Sequence, residues 1–272
     1  MSVATFIPQV WEAKLMKKNR KEAISELITT KPSKVEGNKI IFNRTGAVAV
    51  KNYDGSVSWD EVATTPIEMN FDQKKYFAIQ VDDVDAVQAA GDLLDAHTEE
   101  AGAEIKETVD TYVLGFYTGA DADNVIGTDA APKSLDKMNV YDYIVDLGTK
   151  LSTKKVSKAN RFVIINAEVL GLLSKDDRFT RNPSVLENGV VEGQRINGMQ
   201  VVVSEEIPNA DGKLKVIALH KSAIGHATQF EKTEAMRLQG AFADGVRGLV
   251  VYGTQVLRPE AMAVLTGTVA NQ

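Results

Sequence analysis

A mixed α+β fold, combining an extended two-stranded ribbon, one long helix and a compact α/β portion, is what this 272-residue sequence predicts. Three observations carry that reading. Residues 67–72 alternate apolar Ile67, Met69 and Phe71 with polar Glu68, Asn70 and Asp72, the period of a strand with two unlike faces. From Val84 to Phe116, apolar or small residues recur at steps of three and four, which traces one stripe along a helix. Beyond residue 139, short apolar runs alternate with helical spacings and turn signals, the pattern of a compact α/β unit.

The chain starts with apolar Phe6, Ile7, Val10 and Trp11, followed by Lys14, Lys17, Lys18, Arg20 and Lys21. Val10, Leu15, Ala23, Ile24 and Leu27 permit one or two amphipathic turns, and Glu12, Glu22 and Glu26 dilute the charge. A solvated face therefore explains the basic stretch better than a nucleic-acid or membrane contact. Ile41, Val48 and Val50 lie near strand-like runs, Asp54-Gly55 signals a turn, and the alternating strand at 67–72 follows, with Tyr76 to Val81 continuing extended. A long two-stranded ribbon is marginal alone in water, so it must lie on something, either the same chain or a neighbour.

Asp82, Asp83 and Asp85 stand at the front of the helical stripe, where they complement the dipole and cap free amides. Gly91-Asp92 breaks the run and leaves a main helix from Asp92 to Tyr117, about 39 Å long. Downstream, the spacing predicts a helix over 140–151, a buried strand over 161–165, and a short helix through Leu173 capped by Asn166. Asn197-Gly198 signals a hairpin within 193–203, and strands are predicted at 215–219 and 249–256.

Composition excludes several functions. With 31 Lys+Arg against 37 Asp+Glu the net charge is −6, which argues against a dedicated nucleic-acid binder. The charge excludes that one class and selects no other. The absence of cysteine removes disulfides, thiolate metal sites and cysteine nucleophiles. No stretch reads as a secretion signal or a bilayer span, so synthesis and assembly in cytoplasm are expected. His97, His220 and His226 have no metal-ligand spacing and read as packing or surface histidines. Asp82-Asp83-Val84-Asp85 and the trio Asp121, Asp123 and Asp129 lack a calcium-loop pattern; helix capping explains the first and loop solvation the second. No dinucleotide, phosphate-loop or nucleophile-elbow motif is present, so neither catalytic residues nor a cofactor or metal site are expected.

Several segments together resemble the major capsid proteins of tailed bacteriophages, the family with the HK-ninety-seven-like fold. They are FIPQVWEAKL (6–15), FAIQVDDVDAVQA (77–89), ETVDTYVLGFYTGA (107–120), VEGQRINGMQVVVSEEIP (191–208) and AFADGVRGLVVYGTQVLRPEA (241–261). Their joint order along the chain carries the likeness. It implies an N-terminal arm (1–33), an extended loop (34–80), a peripheral domain with a spine helix (81–138), an axial domain (139–249) and a C-terminal strand returning to the peripheral domain (250–272). It also implies a structural, non-enzymatic protein of the virion. Such a protein assembles as pentamers and hexamers in the host bacterial cytoplasm and encloses double-stranded DNA without reading its sequence. A separate scaffolding protein and a portal are the implied partners, and no membrane is involved. The crosslinking known in the family is not carried over, because no local motif identifies its residues; Lys51, Lys74 and Lys75 are merely available on the ribbon. An encapsulin shell of the same fold, and an unrelated α/β enzyme, are the alternatives. The expected contacts between subunits are Trp11 on the arm and Trp59, Ile67, Met69 and Phe71 on the ribbon.

Overall fold

The computed structural model describes residues 24–32, 39–45, 50–55, 59, 64–82, 92–180, 194–209, 211–238, 240 and 242–269. Helix α1 (Ile24–Ile28) leads to strand β1 (Lys39–Thr45), which pairs antiparallel with β2 (Thr64–Asn70) from Lys39↔Asn70 to Thr45↔Thr64. Strand β3 (Gln73–Asp82) follows after two residues, and then the long helix α2 (Asp92–Leu114). At 23 residues α2 is about 35 Å long. It ends earlier than the sequence predicts because the chain tightens into a 3-10 turn over Gly115–Gly119, a frequent way for a helix to terminate.

The next elements are β4 (Val125–Ile126), β5 (Lys133–Leu135), helix α3 (Val140–Thr153), β6 (Arg161–Ile165), helix α4 (Ala167–Leu173) and the short α5 (Asp177–Thr180). Strands β7 (Arg195–Ile196), β8 (Met199–Val203), β9 (Leu214–His220), β10 (Ile224–Arg237), β11 (Ala243–Val256) and β12 (Met262–Val269) complete the chain. They form two larger sheets. One has three strands in the order β10-β11-β3; the other has seven, in the order β4-β12-β9-β6-β8-β7 with β5 also on β12.

The seven-stranded sheet is apolar on both faces, which is why its central strands read as unbroken apolar runs. Val163 and Ile165 of β6, Val216 and Ala218 of β9, and Ala263 and Leu265 of β12 join Ile144, Leu147 and Leu151 of α3 and Val169 and Leu173 of α4 in one core. The alternate residues Phe162, Ile164, Ile217, Leu219, Met262 and Val264 form a second core with Val109, Val113 and Leu114 of α2 and Tyr252 of β11. The period of two therefore assigns each strand residue to one of two helical layers. Asn166 caps α4 as its position predicts, accepting the Val169 N–H at 3.0 Å. Asn197 and Gly198 have φ of 47° and 82°, the two left-handed residues of a type I′ hairpin joining β7 to β8.

Each of the two larger sheets draws on segments far apart in the chain. Residues 262–269, expected to return to the unit of the long helix, lie between β4 and β9 in the seven-stranded sheet. Residues 262–265 are buried on both faces, and only a central strand provides that environment. Strand β3, assigned to the extended loop, is an edge of the three-stranded sheet. Strand β10, assigned to the axial portion, is the other edge, and β5, assigned with the long helix, sits on β12. The chain passes between the two sheets three times.

Candidate subunit-contact surfaces

In the ribbon, Ile40 stands opposite Met69 and Phe42 opposite Ile67, so these four share one face. Ile40, Met69 and Phe71 are buried in a small core with Val251, and Phe42, Ala227 and Leu249 pack around it. Met69 and Phe71, expected to meet a neighbour, are thus covered by this chain's own three-stranded sheet. Ile67 is half-buried further along the same face. Trp59 is 92% exposed and Val50 98%, with Tyr53 and Ile41 also exposed. Trp11 lies outside the described residues. The ribbon therefore has an inner end that belongs to the subunit and an outer end whose aromatic and aliphatic side chains meet solvent.

Gly253 makes the inner end possible. A Cβ there would stand 2.2 Å from the Asn70 carbonyl oxygen, so only glycine lets β2 cross this closely over β11. Beside it the Tyr112 hydroxyl donates to the Asp72 carboxylate at 3.0 and 3.1 Å. Partial burial and that carboxylate push the phenol up to about 12. Its ring meets Tyr252 edge-on at 5.3 Å. On the other side of α2, the Asp110 carboxylate accepts the N–H groups of Ser25 (2.9 Å) and Ile24 (3.2 Å) and so caps α1. Burial pushes its carboxyl up, against the pull of those two donors.

Exposed apolar residues also mark other extremities. Phe242, 82% exposed, follows the turn at Gly240 (φ 94°) between β10 and β11, with Met236 on the same hairpin; Tyr76 projects from β3 and Met138 from the start of α3. The acidic trio expected to be loop-solvated is held by lysines of other elements. Lys154 bonds Asp121 at 3.2 Å and Asp123 at 2.9 Å, and Lys215, itself buried, pairs with Asp129. Among the described residues no group of three or more His, Cys, Asp or Glu could hold a metal, and no helix is long and apolar enough to cross a membrane.

His226, on β10, is buried with both ring nitrogens satisfied, Nδ1 by the Thr254 hydroxyl (2.9 Å) and Nε2 by the Thr228 hydroxyl (2.7 Å). His220 lies half-buried against Ser222, and the side chain of His97 is outside the description. Burial pushes the His226 imidazole down to about 4 from 6.5. The unfolded chain therefore takes the proton first as pH falls. The loss of stability begins near pH 6.5 and is complete below about 4, at about 3 kcal/mol. Urea unfolding of unassembled subunits at pH 7 and pH 4 should show that loss, and His226→Gln should remove most of it; an equal loss in the variant would reject the assignment.

The segments that carry the capsid resemblance have structural roles. In 204–207, the Glu205 carboxylate accepts the Ala167 N–H (2.6 Å) at the start of α4, Glu206 accepts the Thr111 hydroxyl of α2 (2.6 Å), and Ile207 enters the second core. In 247–253, Arg247 pairs across the strands with Glu234, Gly248 lets Phe77 lie flat on β11, and Tyr252-Gly253 seats the ribbon. Residues 258–260 make the last crossing between the sheets.

The comparisons with known proteins agree with this architecture. No curated protein matches the chain in sequence. Among solved structures, one from Mycobacterium phage Che8 is 25% identical with a TM-score of 0.71, over 90% of this chain and 91% of that one. The capsid of Ralstonia phage GP4 is 8% identical with a TM-score of 0.73, over 93% and 92%. The SrpI encapsulin of Synechococcus elongatus is 13% identical with a TM-score of 0.61, over 93% and 90%. The last two show a shared fold alone, and the fold is HK-ninety-seven-like. The family described as phage capsid protein matches residues 67–265, from the seated end of the ribbon through both sheets to β12, and the chain belongs to that family of shell proteins.

Proposed function

We propose that copies of this capsid protein close into an icosahedral shell of pentamers and hexamers that encloses double-stranded phage DNA, and that the protein catalyses no reaction. The outer end of the ribbon carries this reading: Val50, Tyr53 and Trp59 are left in water by a subunit that buries one face of the ribbon's inner end, with Ile40, Met69 and Phe71. Covering one such side chain is worth roughly 1.5–3 kcal/mol, and a shell repeats the contact at every subunit. Ile67 on the ribbon and Trp11 on the N-terminal arm are further proposed contacts between subunits. The negative net charge lets the inner wall hold DNA without sequence-specific adhesion. Assembly takes place in the host bacterial cytoplasm, with a separate scaffolding protein and a portal as partners.

Purified protein, with and without a scaffold, should form closed particles in negative-stain micrographs and megadalton species in light scattering. A chain that stays monomeric at high concentration in both conditions would reject the shell. An encapsulin-type compartment predicts a co-purifying cargo enzyme; packaged DNA in particles from infected cells supports the virion.

A further inference from the structure

Three chain segments pass between the two sheets: 115–124 after α2, 221–223 between β9 and β10, and 257–261 between β11 and β12. They lie side by side and are bonded to one another. Asp121 N–H donates to the Pro259 carbonyl at 3.1 Å, and Leu257 and Arg258 N–H donate to the Ala223 carbonyl at 2.8 and 3.1 Å. Asn124, 1% exposed, is the centre of this junction. Its side-chain amide donates to the carbonyls of Glu260 and Met262, both at 3.0 Å, and its backbone N–H closes on Asp121 at 2.8 Å. From the surface, Lys154 grips Asp121 and Asp123 while Lys150 donates to the Asp123 carbonyl at 2.6 Å. Exposed ion pairs of that kind hold weakly, whereas a buried amide has no water to replace a lost partner. The junction is also tight: a Cβ on Gly119 would stand 2.7 Å from the Val256 methyl.

We infer that Asn124, which ties the segment leaving α2 to the start of β12, is a positioning residue for assembly: together with the core that α2 shares with the seven-stranded sheet, it holds the angle between them and through it the curvature of the shell. The lever is long. A rotation of about 5° at the junction moves the far end of α2 by about 3 Å. A contact surface displaced by that amount meets its neighbour at a different angle, and every subunit repeats the error around the closed particle. The inference rests on the shell reading and deepens it.

The test compares wild type with Asn124→Ala, which removes both amide bonds, and Gly119→Ala, which wedges the junction while leaving Asn124 in place. Unassembled subunits are melted first; particles are then assembled under identical conditions and sized by cryo-electron microscopy. The expected result is a cooperative melt for the subunits together with particles of altered diameter or a severalfold broader size distribution. Should Asn124→Ala fail to fold, Gly119→Ala and Lys154→Gln decide by the same measurement. Wild-type diameter and uniformity in every variant that folds would overturn the inference. Failure of the wild type itself to make particles would instead overturn the shell reading.

Discussion

Replacing Arg161 by methionine should destabilise the subunit by about 3 kcal/mol or more, although no carboxylate partner is lost. Arg161 is the first residue of β6 and is 2% exposed. Its guanidinium donates to the carbonyls of Ser157 (2.7 Å), Gly148 (3.1 Å) and Val156 (2.5 Å) and to the Ser152 hydroxyl (3.0 Å). Gly148 and Ser152 lie on the last turns of α3, and Val156 and Ser157 on the chain just after it. The cation therefore satisfies carbonyls at a helix C-terminus, where the dipole favours positive charge. Burial pulls the guanidinium down from its ordinary value, but it stays charged at any pH the fold survives. Methionine matches much of the volume but donates nothing: the Gly148 carbonyl keeps the Ser152 hydroxyl as a donor (2.9 Å), whereas the carbonyls of Val156 and Ser157 lose the guanidinium. Lysine keeps the charge but cannot present a planar fork to partners spread over 148–157, so it should recover only part of the loss. Denaturant unfolding of the three proteins checks this, and a methionine variant within about 0.5 kcal/mol of wild type, the range of an ordinary surface change, would refute it.

The ribbon should divide into two parts with opposite phenotypes. Met69→Ala removes a side chain 1% exposed from the core beneath the ribbon and is expected to cost about 2–5 kcal/mol in the isolated subunit. Replacing residues 46–63 with a short Gly/Ser linker removes Val50, Tyr53 and Trp59 and should leave the melt of the subunit nearly unchanged. The same change should abolish or sharply reduce closed particles. The cut belongs at 46–63 and spares both strands, because the pairing of 39–45 with 64–70 and the burial of Ile40, Met69 and Phe71 belong to the subunit itself. Circular dichroism and a thermal melt report the first effect, and light scattering reports the second. If the linker variant unfolds, the outer end supports the subunit; if it assembles normally, the outer end is not the contact.

Most of the local structure was legible from short stretches of sequence. Asn166 as a helix cap, Asn197-Gly198 as a type I′ turn, α3 and the all-buried β6 are set by neighbours in the chain, because capping, turn chemistry and periodicity act over a few residues. The alternation at 67–72 likewise fixed which ribbon residues share a face. What covers that face was not legible, since period two distinguishes inside from outside but not one's own sheet from a neighbour's. Long-range packing alone sets Met69 and Phe71 on Val251, requires Gly253 to lack a Cβ, and gives Asp121, Asp123 and Asp129 to lysines far along the chain. The same holds for Asn124, which has no signal of its own in a polar loop. Its two acceptors lie 136 and 138 residues away, and nothing but the return of the chain between the sheets brings them together.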